Sequence, residues 1–193
     1  AINVHGPLIP AGQLASFYDD FAIAPASSVF REFPSLYPGL VPTNSAVEWD
    51  SAMEMAAENL WAAYQNRIAS WVNTDVAIAC ELFNFGTWTN RPELLAKAQY
   101  FIDSVLTMNR MFEDGAVGYI GTQNEALNYQ ATVSEYVSRY FETTGNANAA
   151  LILQKMQWYG AINGRIGDWW TCPSWKQSWN DIRSSFSGGE TVA

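Results

Sequence analysis

The chain has 193 residues, of which 49% are hydrophobic and 15% charged, which suffices for one substantial core in a single domain. Its net charge of −9 and the absence of any run of basic residues argue against nucleic acid as a partner. No stretch approaches the roughly 18 to 20 consecutive apolar residues of a membrane span, so we expect none.

The first 44 residues contain six of the eight prolines. Because proline fixes φ and removes a backbone donor, we predict an irregular, proline-rich arm over residues 1–44 that packs on the rest of the chain. One short helix is expected within it, near residues 13–21. Residues 45–193 are then expected to form a single all-helical domain.

Helical patterns begin at Ser45. Ser45 and Glu48 match a capping box, and apolar residues follow at helical spacing through Trp71. This pattern predicts a long helix over about residues 46–71. Asn73 or Thr74 is expected to cap a second helix that ends before Gly86.

A third helix is predicted between Asn90 and Met108. Asn90 is the expected cap and Pro92 lies in the first turn, where the missing proline N–H costs nothing. Apolar residues then recur at helical spacing: Leu94, Leu95, Ala98, Phe101, Ile102, Val105, Leu106 and Met108.

Two further helices follow a glycine-rich turn. Thr122 and Glu125 repeat the capping-box pattern, and the helix that they open is expected to end at Gly145. Asn146 or Asn148 is expected to begin the next helix. A last helix is predicted within residues 173–186. With no sustained alternation of period two, the pattern predicts an all-α fold of antiparallel helical hairpins.

The amide-rich segment, residues 114–130, is the first candidate site. Its glycines let backbone approach a ligand, and the helix start offers free N–H groups. The neutral side chains in it suit hydroxyls or carboxylates: Gln123, Asn124, Asn128 and Tyr129. The alternative is structural, because a capping box explains Thr122 and Glu125, and Tyr129 shares an apolar stripe with Val133.

The Trp-rich tail, residues 164–193, is the second candidate site. Indole faces stack on sugar rings, and arginine can hold a carboxylate. The residues proposed for substrate binding there are Arg165, Trp169, Trp170 and Trp175. The alternative is that these indoles seal one end of a helical core.

Other chemistry has weaker support in the sequence. Carboxylates that can supply a general acid and base are Asp75, Glu81, Asp114, Glu125 and Asp168, but sequence does not tell their separation. His5 is the only histidine, which disfavours a histidine triad or a multi-histidine metal site. Nucleotide fingerprints are absent, so we expect no cofactor and no metal.

The cellular location is indicated only by the chain start and the cysteines. Ala1 in place of an initiator Met is typical of a processed or trimmed chain, with a fragment as the alternative, and we expect a secreted or periplasmic protein. Cys80 and Cys172 can form one long-range disulfide in such a compartment, but their separation in sequence leaves the bonded and unbonded states both open.

The helical hairpins, the stretch from Tyr119 to Tyr129 and the step from Thr144 to Asn148 together resemble the α/α-toroid carbohydrate-active enzymes, which are polysaccharide lyases and glycoside hydrolases. The resemblance implies that the chain forms part of an α/α toroid. For a toroid lyase it also implies β-elimination at a uronic acid. Tyr129 or Tyr119 would act as base and acid, and the amide side chains Gln123, Asn124 and Asn128 would neutralise the uronate carboxylate.

The expected function is therefore that of a carbohydrate-active protein that acts on or binds a polysaccharide. Tyr129, Tyr119 and Glu125 are its candidate catalytic residues, and a carbohydrate is its expected partner. Two other interpretations remain open. One is a non-catalytic helical binding or interaction module, and the other is a subunit that buries exposed aromatic residues against another chain in a larger assembly.

Overall fold

The computed structural model describes residues 20–37, 39–40, 42–113, 115–118 and 127–163. For some residues within these ranges the structure describes the backbone but not the side chain: 20–23, 25–26, 30, 43–44, 127–129 and 159–163. The described residues form six helices: α1 (Asp20–Leu36), α2 (Thr43–Tyr64), α3 (Val72–Trp88), α4 (Pro92–Thr107), α5 (Leu127–Thr144) and α6 (Ala147–Asn163). These ranges contain no β-strand, only an isolated antiparallel bridge between Met111 and Val117. The predicted all-α fold is confirmed.

The chain divides into two compact units. Among the described residues, unit 1 contains those within 20–68 and 77–100, and unit 2 those within 69–76 and 101–163. Within the described part of the chain, no helix is long and apolar enough to cross a membrane. The domain boundary predicted at residue 45 and the α/α toroid stay predictions.

Helix α1 of unit 1 lies where the sequence predicted irregular chain. It spans 17 residues and includes Pro25 and Pro34, so the expectation of no regular element beyond residues 13–21 is wrong for residues 20–36. Helix α1 is held by hydrogen bonds from α3 within unit 1, which favour the helix despite its two prolines. Asn84 of α3 donates from Nδ2 to the hydroxyls of Ser27 at 2.9 Å and Ser28 at 3.0 Å.

Both ends of α2 differ from the prediction. The helix begins at Thr43 after Pro42, which makes no side-chain capping hydrogen bond, so the capping box predicted at Ser45 is wrong. It ends at Tyr64, seven residues before Trp71. Lys97 of α4 donates from Nζ to the Gln65 carbonyl at 3.2 Å and to the Arg67 carbonyl at 2.7 Å. These bonds satisfy carbonyls beyond the last helical turn and favour a chain that leaves the helix there.

Helix α3 continues through Gly86 to Trp88, so the turn predicted at this glycine is also wrong. A Cβ atom at Gly86 would lie 2.9 Å from the Cβ of Leu94 and 3.0 Å from the Cδ2 of Leu95. The glycine thus permits close packing of α3 and α4 within unit 1. This position requires the absence of a side chain and not the backbone freedom of glycine.

Helix α4 matches its predicted range, Pro92 to about Met108, but not its predicted cap. Asn90 has a φ of +53°, which lies in the left-handed region, whereas a capping residue has extended φ and ψ. The apolar stripe of α4 is buried as predicted at Leu94, Ala98 and Phe101.

The turn between α5 and α6 in unit 2 agrees with the sequence. Gly145 adopts a φ of +65° and donates its N–H to the Phe141 carbonyl at 2.7 Å, which ends α5. Asn146 then caps α6, because its Oδ1 accepts the Ala149 N–H at 2.9 Å. The two helices pack against each other as consecutive neighbours.

Candidate functional site

Most of the predicted site residues lie outside the described residues. These are Tyr119, Gln123, Asn124, Glu125, Arg165, Trp169, Trp170 and Trp175. Asn128 and Tyr129 belong to the first turn of α5, where the helix is described but these two side chains are not. The roles assigned to all ten residues stay predictions. What the structure describes is the chain on either side of residues 119–126.

A tight turn precedes that stretch. Phe112 donates its N–H to the Ala116 carbonyl at 2.8 Å, and Gly115 donates to the Phe112 carbonyl at 3.0 Å. Gly115 has a φ of +92°, a conformation that side chains disfavour. Ala116 and Val117, which follow, are buried. The first part of the amide-rich segment is therefore part of the packed interior of unit 2.

Gln130 holds the two ends of the stretch together. Its Nε2 donates to the Val117 carbonyl at 2.6 Å, and its Oε1 accepts the Val117 N–H at 2.9 Å. The side chain is fully buried. One primary amide thus pairs with both polar groups of one residue, as a neighbouring strand would. We call these two hydrogen bonds the Gln130 clamp.

Arg110 holds the next residue. Its carbonyl accepts the Gly118 N–H at 3.0 Å, and its own N–H donates to the Val105 carbonyl at 3.1 Å. Gly118 is the last described residue before position 119. Consecutive residues of the segment, Val117 and Gly118, are therefore each tied to a different part of unit 2.

The Arg110 side chain lies at the centre of a buried hydrogen-bonded network, which we call the arginine network. Its Nη2 donates to Asp75 Oδ2 at 2.6 Å, and its Nη1 donates to the Ser104 hydroxyl at 2.5 Å. Asp75 Oδ2 also accepts the Ser70 N–H at 2.6 Å, and Ser104 donates to the Phe101 carbonyl at 2.6 Å. The side chains of Arg110 and Asp75 are 2% and 0% exposed, so the charges compensate each other away from water.

Of the five carboxylates proposed for acid and base catalysis, two are described. Asp75 is committed to the arginine network, and Glu81 is fully buried in α3. Asp114, Glu125 and Asp168 lie outside the described residues. Across the described part of the chain, no group of three or more His, Cys, Asp or Glu residues is placed to hold a metal ion. Cys80 is buried, whereas Cys172 is not described. The bonded and unbonded states of this pair therefore both stay open.

Two residues that hold the segment, Gln130 and Arg110, are not among those predicted from the sequence. Gln130 precedes Val133 by three residues and Val137 by seven, so it occupies the buried stripe of α5. A polar residue on an apolar stripe indicates a hydrogen-bonded side chain, because a buried amide needs partners. No comparable pattern marks Arg110.

Comparison with protein families, with curated proteins and with solved structures finds no match for this chain. Function is therefore inferred from the residues themselves.

Proposed function

We propose that the chain is a carbohydrate-active protein that binds a polysaccharide at the amide-rich segment. The observation that carries this proposal is the Gln130 clamp, which joins Val117 to α5 and so brings together the two points between which residues 119–126 run. A stretch whose two flanks are held in place loses less conformational entropy when it binds a ligand than one with free ends.

The chemistry of the residues in this stretch favours a polyhydroxylated ligand. Gln123, Asn124 and Asn128 offer amide donors and acceptors without charge, which suit hydroxyl groups and carboxylates alike. In the proposal the indoles of the Trp-rich tail stack on sugar rings, and Arg165 binds a carboxylate.

The reaction that we propose is β-elimination on a uronic acid. Tyr129 or Tyr119 removes the C5 proton while the amides neutralise the adjacent carboxylate. The C4–O bond then breaks, its electron pair leaves with the oxygen, and the other tyrosine protonates that oxygen. The products are a new chain end and a uronate with a C4–C5 double bond. In a hydrolase, Glu125 would instead supply the acid or base.

The test combines binding and product formation. Wild-type protein and the double variant Gln123→Ala/Asn124→Ala are titrated with alginate, polygalacturonate and a neutral glucan, and unsaturated and reducing ends are measured. We expect binding to at least one polymer, reduced about tenfold or more in the variant, since each lost hydrogen bond is worth about 0.5–1.5 kcal/mol. Gln157→Ala, which changes an exposed amide on α6, is the matched control and should bind as wild type does.

The outcomes separate the interpretations. Unsaturated ends support the lyase, and reducing ends without unsaturation support a hydrolase. Binding without either product identifies a non-catalytic binding module. Absence of binding to all three polymers, together with absence of product, would overturn the carbohydrate proposal.

The second candidate function is association with another chain, and the outer face of α6 favours it. This face consists of Ala147, Leu151, Gln154 and Trp158, which are spaced four, three and four residues apart and are all exposed. Leu151 is 41% and Trp158 64% exposed, and Lys155, four residues after Leu151 and half-buried, borders the face. Exposed apolar surface of this kind is typical of interfaces.

Light scattering tests association of the chain with itself. In this second proposal wild-type protein forms a species of twice the mass or larger, and Trp158→Lys shifts it to monomer because a charge cannot be buried there without a partner. A monodisperse wild-type monomer at high protein concentration argues against self-association.

A further inference from the structure

The outer face of helix α2 in unit 1 is exposed along most of the helix. Its residues recur at helical spacing and are all exposed: Val47, Ser51, Glu54, Met55, Glu58 and Ala62. We call these residues the α2 outer face, which is about 22 Å long because a helix rises about 1.5 Å per residue. Val47 is 64% and Met55 44% exposed, whereas Leu60 on the opposite face is buried. Two large apolar side chains therefore lie exposed to water on one helix face.

The charge along α2 is negative only. The helix contains no basic residue, and its acidic residues are all exposed: Glu48, Asp50, Glu54 and Glu58. Asp50 accepts the Trp88 Nε1–H at 3.0 Å. The three glutamate side chains form no ion pair within the described part of the chain, unlike Glu135, which pairs with Arg139. The α2 outer face thus combines exposed apolar side chains with uncompensated negative charge.

The spacing of these acids makes them repel one another. Asp50, Glu54 and Glu58 follow at intervals of four residues, and side chains four residues apart on a helix are neighbours. Like charges at this spacing destabilise a helix, and a lysine in the middle position would stabilise it instead. Glu54 and Glu58 also lie beyond the first turn of α2, where the helix dipole no longer favours acids. A local arrangement that costs stability is typical of a functional surface.

We propose that the α2 outer face binds a basic amphipathic helix of another protein. Lysine or arginine side chains of such a helix would lie against Glu54 and Glu58 and relieve their repulsion. Its apolar stripe would cover Val47 and Met55 and remove them from water. The occupant is thus defined by two properties of the face together, its sign of charge and its apolar side chains. Its binding does not depend on the carbohydrate proposal.

The same two properties disfavour other occupants. In the described part of the chain, these carboxylates do not form a group of three that could hold a metal ion, so a ligand must spread its positive charges along the helix. A second copy of this chain would bring a net charge of −9 without any run of basic residues. Nucleic acids and acidic polysaccharides would be repelled. Oligolysine would neutralise the acids but leave Val47 and Met55 in water.

The experiment titrates the full chain with a fluorescent peptide of about 18 residues, in which Leu and Lys alternate at the spacing of an amphipathic helix. Wild type is compared with the double variant Glu54→Gln/Glu58→Gln, which removes two charges at nearly constant side-chain size. We expect the dissociation constant to rise about fivefold or more at low salt, because two ion pairs with the peptide are lost. The difference should shrink at high salt, where exposed charges are screened.

Glu113→Gln/Glu142→Gln is the matched control, because it removes two exposed glutamates of unit 2 and changes the net charge equally. Its dissociation constant should stay within about twofold of the wild-type value. Met55→Ser tests the apolar contact and should weaken binding about threefold at low and at high salt alike. Oligolysine of the same length should bind more weakly than the Leu/Lys peptide, and a Leu/Glu peptide should not bind.

The stability of the free protein separates a binding role from a structural one. Glu54→Gln/Glu58→Gln relieves repulsion within α2, so its thermal unfolding midpoint should equal or exceed that of wild type while its affinity for the peptide falls. Three results would each overturn the proposal: absence of binding of the Leu/Lys peptide, equal weakening by both double variants, or oligolysine binding as tightly as the Leu/Lys peptide. None of these bears on the carbohydrate proposal, because α2 belongs to unit 1 and the Gln130 clamp to unit 2.

Discussion

Two ion pairs of unit 1, Arg31–Glu32 and Arg91–Glu93, lie at or near its surface, whereas unit 2 buries the pair formed by Asp75 and Arg110. In unit 1 the pair Arg91–Glu93 has side chains 22% and 36% exposed. A buried polar contact of unit 1, from Asn84 to Ser27, is neutral. The pair formed by Asp75 and Arg110 is almost completely shielded from water, at 0% and 2% exposure. The two ion pairs have similar lengths, 2.7 Å at the surface and 2.6 Å in the interior. They should nevertheless contribute differently to the free energy of unfolding, because one is exposed to water and the other is buried.

Breaking the buried pair of unit 2 should have the largest effect. Asp75→Asn leaves the Arg110 charge buried without its counter-charge, and we expect a loss of about 3–5 kcal/mol in the free energy of unfolding. Urea denaturation followed by tryptophan fluorescence measures this loss. The double variant Asp75→Leu/Arg110→Met removes both charges and should lose less than Asp75→Asn alone. If Asp75→Asn lowers the free energy of unfolding by less than about 1 kcal/mol, the buried pair contributes no more than a surface pair does, and the comparison fails.

The neutral contact of unit 1 should rank second. Asn84→Leu keeps side-chain size but removes the donor shared by Ser27 and Ser28, which keep only their bonds to the Ala24 carbonyl. We expect a loss of about 1–3 kcal/mol, measured by the same denaturation. Ser28→Ala, at a partly buried hydroxyl, serves as the milder comparison. A loss as large as that of Asp75→Asn would contradict the ranking.

A surface pair within unit 2 tests whether burial, rather than the unit, makes the difference. Arg139 and Glu135 lie one helical turn apart on α5 at 2.9 Å, with side chains 41% and 55% exposed. Arg139→Ala should change the free energy of unfolding by no more than about 0.5 kcal/mol, and less at high salt. Thermal unfolding at low and high ionic strength measures it. An effect of several kcal/mol would show that surface pairs in this unit carry unusual weight.

The smallest effect is expected at Glu93, and it depends on pH. The hydrogen bond from the Arg91 side chain lowers the pKa of Glu93 from its ordinary value of 4.5. A lowered folded-state pKa contributes stability above the ordinary value, and this contribution is lost as the pH falls through the lowered pKa. Glu93→Gln should therefore be slightly less stable than wild type at neutral pH, with the difference vanishing in acid.

An NMR titration of the Glu93 carboxyl in wild type and Arg91→Ala checks the cause. The pKa should rise towards 4.5 when the arginine is removed. An unchanged pKa in Arg91→Ala would exclude the arginine as the source of the shift.

The helices that the sequence predicted well are those whose signals are local. Pro92 begins α4, and Gly145 and Asn146 separate α5 from α6, because each acts through its own backbone or through bonds to residues a few positions away. Prediction failed where a distant contact competes with the local pattern. Lys97 binds the carbonyls that follow α2, 32 and 30 residues earlier in the chain, and no pattern near Tyr64 announces it.

The candidate site shows the same division. The amide and tyrosine side chains of the amide-rich segment are evident in the sequence as a group. Gln130 is also recognisable there, as a polar residue on the apolar stripe of α5. The partner of Gln130 was not predictable, since Val117 lies 13 residues away across the stretch that the clamp closes. Arg110 and Asp75 are 35 residues apart, and either alone resembles an ordinary surface residue.

By itself the sequence determined that the described part of this protein is built from helices, and it determined the range of α4 and the turn between α5 and α6. Helical periodicity and turn residues are sufficient for that because they act within about one turn of chain. Tertiary structure alone decided that α1 forms across two prolines, that α3 passes through Gly86, and that Arg110 and Asp75 meet. These outcomes depend on burial and on partners distant in sequence, and the energy of a polar group is set by whether it finds such a partner once water is excluded.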